Sequence, residues 1–82
     1  MRHLNPAQYV IKMFGGVKAT ARAVGRTPGA VIFWKHPKTR GGRGGNVPSI
    51  AQRIILKIAK RDGLDITPED LTYGRNLTTA GE

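Results

Sequence analysis

The chain has 82 residues, a net charge of +9 and no cysteine, which predicts one small domain and excludes disulfides and thiolate metal sites. Residues 1–61 contain thirteen Lys or Arg and no Asp or Glu, whereas residues 62–82 contain one Arg and five acids, so the two segments carry +13 and −4. No stretch approaches the roughly 20 apolar residues that span a bilayer, and no apolar run typical of a signal sequence is present, so we expect a cytoplasmic protein.

The first helix is predicted at residues 6–14. Asn5 is a helix-capping residue, Pro6 suits the first helical position, and Gln8 has the spacing of a capping box. Apolar residues then recur at helical spacing. The glycine pair that begins at Gly15 ends this helix.

A second and a third helix follow in quick succession. The second is predicted at residues 17–24 and ends at Gly25, because glycine readily adopts the left-handed conformation at a helix end. A capping threonine, Thr27, followed by a proline, opens the third helix. This helix is predicted at about residues 27–36, since the residue before Pro37 disfavours helical backbone.

The segment after the third helix has the composition of a loop. Residues 38–47 hold four glycines, three cations and a single apolar residue, which predicts a mobile Arg/Gly loop. One hypothesis is that Arg40 and Arg43 make this loop an arm that reaches the minor groove or the flanking backbone of a duplex. The alternative is a solvated linker without a defined role.

The fourth helix is predicted at residues 48–61, where a broad apolar stripe lies opposite a row of Lys and Arg, and Gly63 ends it. Thr67 and Asp70 have the spacing of a capping box and predict a short last helix that ends near residue 74. Residues 75–82 are predicted to be a flexible tail. The apolar stripe consists of Ile50, Ala51, Ile54, Ile55, Ile58 and Ala59.

These elements predict an all-α fold, a compact bundle of five short helices in one domain at residues 1–74. No segment alternates with a period of two for long enough to predict a sheet. The charge of residues 1–61 attracts a polyanion, and binding is helped by the counterions that the polyanion releases. The composition therefore favours nucleic acid as the partner over an anionic membrane or an acidic protein.

The second and third helices match the helix-turn-helix pattern. Ala21 allows the two helices to approach closely, Gly25 supplies the turn, and Val31 and Trp34 face the core three residues apart. The alternative is an ordinary helical hairpin in which these residues are merely core. That alternative does not explain the cations that cluster around the third helix, which are Lys18, Arg22, Arg26, Lys35 and Lys38.

Residues 16–35 resemble the core of small phage and prophage regulators of the Cro-like and YdaS-like kind, which share this order of Gly, Ala, turn Gly, capping Thr, Val and Trp. Residues 47–51 and 65–71 resemble the closing segment of that family, a Pro-led helix and then a Thr-x-x-acid-Leu turn. The resemblance implies a transcriptional repressor, usually dimeric on its operator, in a bacterial cell or a phage-infected host. The chain departs from the family's polar recognition residues at Gly29, Ile32 and Phe33.

The predicted binding mode places the third helix in the major groove of double-stranded DNA. Arg26 is expected to pair with guanine or to hold a phosphate, and Ile32 to meet thymine methyl groups. Thr27 is expected mainly to cap the helix, and for Phe33 packing is favoured over a base contact. The predicted base-reading residues are Arg26, Thr27, Pro28, Gly29, Ile32, Phe33 and His36. The predicted phosphate contacts are Lys18, Arg22, Lys35, Lys38, Arg40 and Arg43.

The resulting hypothesis is a sequence-specific DNA-binding transcriptional regulator, a repressor associated with the nucleoid and expected to form a homodimer. No nucleophile–base–acid set is apparent, and two histidines without cysteine are too few metal ligands, so we expect no enzyme, no metal and no cofactor. Two alternatives stay open. One is an antitoxin-type module that binds a protein partner through Ile32 and Phe33, and the other is a non-specific RNA or nucleoid binder.

Overall fold

The computed structural model describes residues 2–77, with the side chains of Arg2, Arg40 and Leu77 excepted. Within these residues the predicted all-α bundle of five short helices is confirmed, and each helix boundary lies within about one residue of its prediction. The elements in chain order are β1 (Arg2–Leu4), α1 (Pro6–Phe14), α2 (Val17–Val24), α3 (Pro28–Lys35), a 3-10 turn (Lys38–Arg40), α4 (Ser49–Asp62), α5 (Pro68–Tyr73) and β2 (Arg75–Leu77).

Side-chain caps set the starts of the first and last helices, and both predicted capping boxes are present. At α1 the Asn5 side chain accepts from the backbone N–H of Gln8, while the Gln8 side chain accepts from the backbone N–H of Asn5. Thr67 and Asp70 make the same reciprocal pair at α5. Each box satisfies N–H groups that have no partner inside the helix.

One hydrophobic core lies between the helices. α2 packs against α1, α3 and α4, and α5 packs against α1 and α4. Because α2 is surrounded in this way, its small residue Ala21 is only 2% exposed. The buried hydrophobic residues are Leu4, Ala7, Tyr9, Val10, Ala21, Val24, Val31, Trp34, Val47, Ala51, Ile55, Ala59, Ile66 and Leu71. One face of α3 is thus buried in the core and the other is exposed to solvent.

A short antiparallel ribbon, which the sequence did not predict, joins the two ends of the described segment. β1 pairs with β2, and His3 lies opposite Asn76. The prediction of a flexible tail from residue 75 is therefore wrong for residues 75–77, and its remainder, residues 78–82, lies outside the described residues. Strands of three residues are too short to show an alternating pattern in the sequence.

Arg75 holds β2 to the bundle through a group of four residues, here called the C-terminal clasp: Tyr9, Asp65, Asp70 and Arg75. The Nε and Nη2 atoms of Arg75 each donate to the Asp70 carboxylate at 2.7 Å, and Nη1 donates to Asp65 at 3.0 Å. The guanidinium also lies over the Tyr9 ring, 4.9 Å from its centroid. The clasp thereby connects α1, the segment before α5, α5 itself and β2.

Burial and hydrogen bonding act in opposite directions on the Asp70 carboxyl. Burial raises the pKa of Asp70, but hydrogen bonds from Arg75 and from Thr67 outweigh it and hold the pKa below its usual range. Burial likewise raises the pKa of the Tyr9 hydroxyl, which donates to the backbone carbonyl of Asp65. The clasp is therefore built around an ionised Asp70.

Candidate nucleic-acid interface

α3 presents one face to the core and the other to solvent. Val31 is fully buried and Trp34 is 4% exposed, on the side where α3 packs against α2. The hydroxyl of Thr27 accepts from the backbone N–H of Ala30 at 3.2 Å and so caps the start of the helix. α3 is therefore a braced helix, and the predicted core positions Ala21, Val31 and Trp34 are confirmed.

The turn between α2 and α3 has the predicted glycine geometry. Gly25 has a φ of +71°, in the left-handed region that disfavours other residues, and its N–H donates to the carbonyl of Ala21. The N–H of Arg26 donates to the same carbonyl at 2.9 Å. These bonds fix the reversal of the chain and leave Arg26 exposed at the start of α3.

The predicted base-reading residues lie on the outer face of α3 or at its ends. Ile32 is 38% exposed and Phe33 is 50% exposed, so the outer side of α3 presents large apolar side chains to solvent. The half-buried His36 ring meets the Phe33 ring edge-on, with 5.2 Å between centroids. Residues three or four apart share a helix face, so Gly29 and Ile32 lie on one outward strip of α3, and His36 lies at the end of this strip, just after the last helical residue. Arg26, Thr27, Pro28 and Gly29 are exposed as well.

The predicted phosphate-contacting residues lie on α2, at the end of α3 and on the loop that follows it. Lys18 and Arg22 lie four residues apart on the exposed face of α2, and Lys35 ends α3. Lys38 and Arg43 are exposed on the loop that follows, while the Arg40 side chain lies outside the described residues. Because residues 1–61 contain no carboxylate, no acidic side chain from this part of the chain neutralises these cations.

The Arg/Gly loop is attached to the end of α3. Backbone carbonyls in the last turn of a helix have no partner inside the helix. Three N–H groups of the loop supply the missing donors: Arg43 to the carbonyl of Phe33 at 3.1 Å, Gly44 to that of His36 at 2.8 Å, and Gly45 to that of Trp34 at 2.6 Å. The loop therefore caps α3 through its backbone.

The same loop is also attached to the start of α1. The carbonyl of Gly45 accepts from the N–H of Ala7 at 2.9 Å, which satisfies a donor in the first turn of α1. Gly45 lies so close to Asn5 that an added Cβ would sit 2.6 Å from the Asn5 Cγ. The loop predicted at residues 38–47 is thus present, and it begins with a 3-10 turn and is bonded to two helices, which its composition did not indicate; its mobility stays a prediction.

Two adjoining cavities lie between α3, the loop and the start of α4, and together they are called the α4-side groove. One, of about 390 Å³, is lined by Arg26, Phe33, Arg43 and Ile50 among others. The other, of about 400 Å³, is lined by Lys38, Asn46 and the loop backbone. Gly41 and Arg43 line both cavities, so the groove continues from the start of α3 to the loop.

The opposite flank of α3 carries a second concavity, the α1-side groove. Its volume is about 290 Å³, and Gln8, Lys12 and Lys35 are among its lining residues. Each flank of α3 therefore has its own cations, Lys12 and Lys35 on one side and Arg26 and Arg43 on the other. A helix in the major groove meets a phosphate strand on each side, and this arrangement is suited to both.

Sequence reasoning did not place Lys12, Asn46 or Ile50 in these grooves. Lys12 carried no predicted role and Asn46 was expected only near the start of the fourth helix, because no local pattern distinguishes them from other surface residues. Ile50 was assigned to the apolar core stripe of α4, but it is 64% exposed and lines the α4-side groove. The stripe is thus wrong at its first member, whereas its second member, Ala51, in the same turn of α4, is buried in the core.

Within residues 2–77, no group of three or more His, Asp or Glu side chains is placed to hold a metal ion. Nor does any helix in that range have both the length and the apolar character needed to cross a membrane. A scan against protein-family models and searches of curated proteins and of solved structures found no match for the chain. The resemblance to Cro-like and YdaS-like regulators therefore stays a prediction.

Proposed function

We propose that this protein is a sequence-specific double-stranded DNA-binding regulator that inserts α3 into the major groove. The observation that carries the proposal is the division of α3 into two faces. Val31 and Trp34 anchor the inner face in the core, while Gly29 and Ile32 are exposed on the outer face. An anchored helix with a free outer face between cationic flanks is what major-groove reading requires.

The dimensions and the charge support the same proposal. α3 has eight residues and is thus about 12 Å long, and the major groove, roughly 12 Å wide, admits the roughly 10–12 Å diameter of an α-helix. Cations line both flanks, and the absence of acids from residues 1–61 leaves their field uncompensated in that part of the chain. The charge accounts for affinity to any duplex, and the exposed strip of α3 accounts for a preference among sequences.

The role in the cell follows from the resemblance of residues 16–35 to phage and prophage regulators. We propose a repressor that acts in the cytoplasm of a bacterial cell or a phage-infected host, at the nucleoid. A homodimer on a two-fold operator is part of the proposal, because helix-turn-helix proteins bind paired half-sites about one helical turn apart.

Selection of bound sites from a random duplex pool tests this function directly. We expect one enriched motif, palindromic if the protein binds as a dimer, and an affinity that falls by about 0.9 log units per log unit of salt for each neutralised phosphate. A pool that remains random after several rounds, at a salt concentration where the protein still binds, would contradict sequence-specific recognition. Equal affinity for random duplex and single strands would instead support a non-specific nucleic-acid binder.

Two matched substitutions distinguish base recognition from phosphate contacts. Ile32→Ala removes an exposed apolar contact, and we expect it to reduce discrimination between the selected site and a scrambled site on the order of fivefold. Lys18→Ala should weaken binding to both sites alike. Lys57→Ala, an exposed charge on α4 that lines neither groove, is the control. If Ile32→Ala and Lys18→Ala change the two affinities in the same proportion, α3 does not read the bases directly.

The exposed apolar residues favour one second candidate, an antitoxin-type module that binds a protein. Ile32, Phe33 and Ile50 are 38%, 50% and 64% exposed, and exposed apolar groups can mark protein interfaces. This candidate predicts that an acidic protein co-purifies with the chain and that no duplex is bound at low salt. Binding of a selected duplex by the isolated protein would count against it.

A further inference from the structure

We infer that the α4-side groove is a preformed seat for the sugar–phosphate backbone of one DNA strand, in which Arg26, Arg43 and Lys38 contact phosphates of the same strand. This inference rests on the proposed function. It adds that the α4-side flank of α3 holds one DNA strand and that the Arg/Gly loop supplies cations for that contact. It replaces the hypothesis of a free arm in the minor groove.

The cations that line the α4-side groove follow an order along its length. Arg26 lies at the start of α3, Arg43 belongs to both cavities, and Lys38 with Asn46 lines the far cavity. The cations thus follow one another along a continuous groove. A nucleic-acid strand carries a regularly repeated negative charge, which suits such a row better than a single free anion does.

The Arg/Gly loop is attached to two helices without any ligand bound. Backbone hydrogen bonds attach it to α3 and, through Gly45 and Ala7, to α1. The alkyl chain of Lys38 lies beside Gly44, at 3.5 Å from where a Cβ of residue 44 would be. The cations of the groove are therefore carried on a bonded backbone, so little backbone entropy is lost when a strand docks, and the ordering cost is confined to the side chains.

The wall of the groove has the chemistry that a sugar–phosphate backbone requires. Guanidinium, ammonium and carboxamide N–H groups donate to phosphate oxygens, and Arg43, Lys38 and Asn46 supply one of each. Phe33 and Ile50 provide apolar surface in the same groove, where the deoxyribose of a docked strand would lie. Phe33 therefore contacts sugar in this arrangement, and the strip at Gly29, Ile32 and His36 is left to face the bases.

The test compares Arg43→Ala with Arg53→Ala, which removes an exposed charge of α4 outside both grooves. On a random duplex, Arg43→Ala should lower the salt slope by about 0.9 and the affinity at 0.1 M salt about eightfold. The loss should be equal on the selected and the scrambled site, and Arg53→Ala should leave the slope unchanged. Phe33→Leu should also weaken both sites equally.

A second measurement assigns the contact to individual phosphates. Single methylphosphonate substitutions, which remove one backbone charge at a time, are introduced along each strand of a bound duplex. The wild-type protein should lose affinity at a short run of neighbouring positions on one strand, and Arg43→Ala should be insensitive at one position of that run. If Arg43→Ala loses affinity at the same methylphosphonate positions as the wild type, the groove does not hold the strand as proposed.

Other outcomes distinguish rival occupants and separate this inference from the proposed function. A change in base preference on Arg43→Ala would overturn the seat in favour of an arm that reads bases. Saturable binding of inorganic phosphate at these residues, together with an unaltered duplex salt slope in Arg43→Ala, would show a free-anion site and would also overturn it. If site selection fails while Arg43→Ala still lowers the slope on a random duplex, sequence-specific function is wrong and the seat stands.

Gly42→Ala tests the seat without removing a charge. An added Cβ at residue 42 would collide with the backbone of His36, which cannot move aside as a flexible side chain can. We expect the loop to be displaced and duplex affinity to fall severalfold while the far-ultraviolet circular dichroism of the helices is kept. Wild-type affinity in a folded Gly42→Ala protein would show that the loop position does not matter and would overturn the inference.

Discussion

Replacing Asp70 removes the charge at the centre of the C-terminal clasp and should strongly destabilise the fold. The Asp70 side chain is 6% exposed and receives two bonds of 2.7 Å from Arg75 and one of 2.8 Å from the N–H of Thr67. Loss of the helix-cap bond costs about 1 kcal/mol. Loss of the charged hydrogen bonds costs about 1.5–3 kcal/mol. We expect a cost near the lower end of this range, because the Arg75 side chain is 29% exposed to water and remains paired with Asp65.

We therefore expect Asp70→Ala to lower the free energy of unfolding by about 2–4 kcal/mol, a large part of the 5–15 kcal/mol typical of a small domain. Asp70→Asn retains an acceptor for Thr67 and should fall between Asp70→Ala and the wild type. Urea unfolding followed by circular dichroism measures the effect. Asp62→Asn, which alters the exposed pair with Arg61, is the matched control and should behave as the wild type. A loss below about 0.5 kcal/mol in Asp70→Ala would refute this account of the clasp.

Three further predictions concern pH, the helix crossing and the helix cap. The pKa of Asp70 is lowered in the folded state, so its stabilising contribution is complete above the unfolded pKa of about 3.9 and is lost as the pH falls through the folded pKa. In urea unfolding measured from pH 7 to pH 2, the midpoint concentration of urea should therefore decrease once the pH is below about 4. The decrease should be smaller in Asp70→Asn. Ala21→Leu overfills the α2–α3 crossing and should lower the free energy of unfolding by about 1–3 kcal/mol, with Ala19→Leu on the exposed face as control. Thr27→Ala should cost about 1 kcal/mol in urea unfolding, whereas an unchanged midpoint would show that the bond to Ala30 contributes nothing.

The parts of the fold that were predictable from the sequence are those with local causes. The capping side chain of Asn5 and the turn at Gly25 act within a few residues of their own position, so the sequence displays them directly. The spacing of Val31 and Trp34 likewise fixes which face of α3 is buried. The braced helix at the centre of the candidate site follows from these local signals alone.

The parts that were missed depend on contacts between distant residues. The Arg/Gly loop is held by backbone N–H groups that reach the carbonyls of α3, and backbone bonds leave no mark in a glycine-rich sequence. Arg75 meets Tyr9 only because β2 returns alongside β1. The exposure of Ile50 depends on where α3 and the loop leave space next to α4. A pattern of three to seven residues carries none of this information.

The clasp also explains how a chain with five acids keeps a strongly cationic face around α3. Asp65 and Asp70 are paired with Arg75, the lone cation of residues 62–82, and Asp62 is paired with Arg61. Because paired charges produce a weaker field at a distance than free ones, these acids do little to offset the cations at the start of the chain. Removing the positive charge of Arg75 should therefore leave the carboxylates of Asp65 and Asp70 without their cation. We expect this change to lower duplex affinity in a folded protein, although Arg75 is not part of the proposed interface. Arg75→Lys keeps the positive charge but not the two-pronged contact with Asp70. It should therefore lose stability but retain more duplex affinity than Arg75→Gln. Equal duplex affinities in these two variants would show that the clasp does not act on binding through charge.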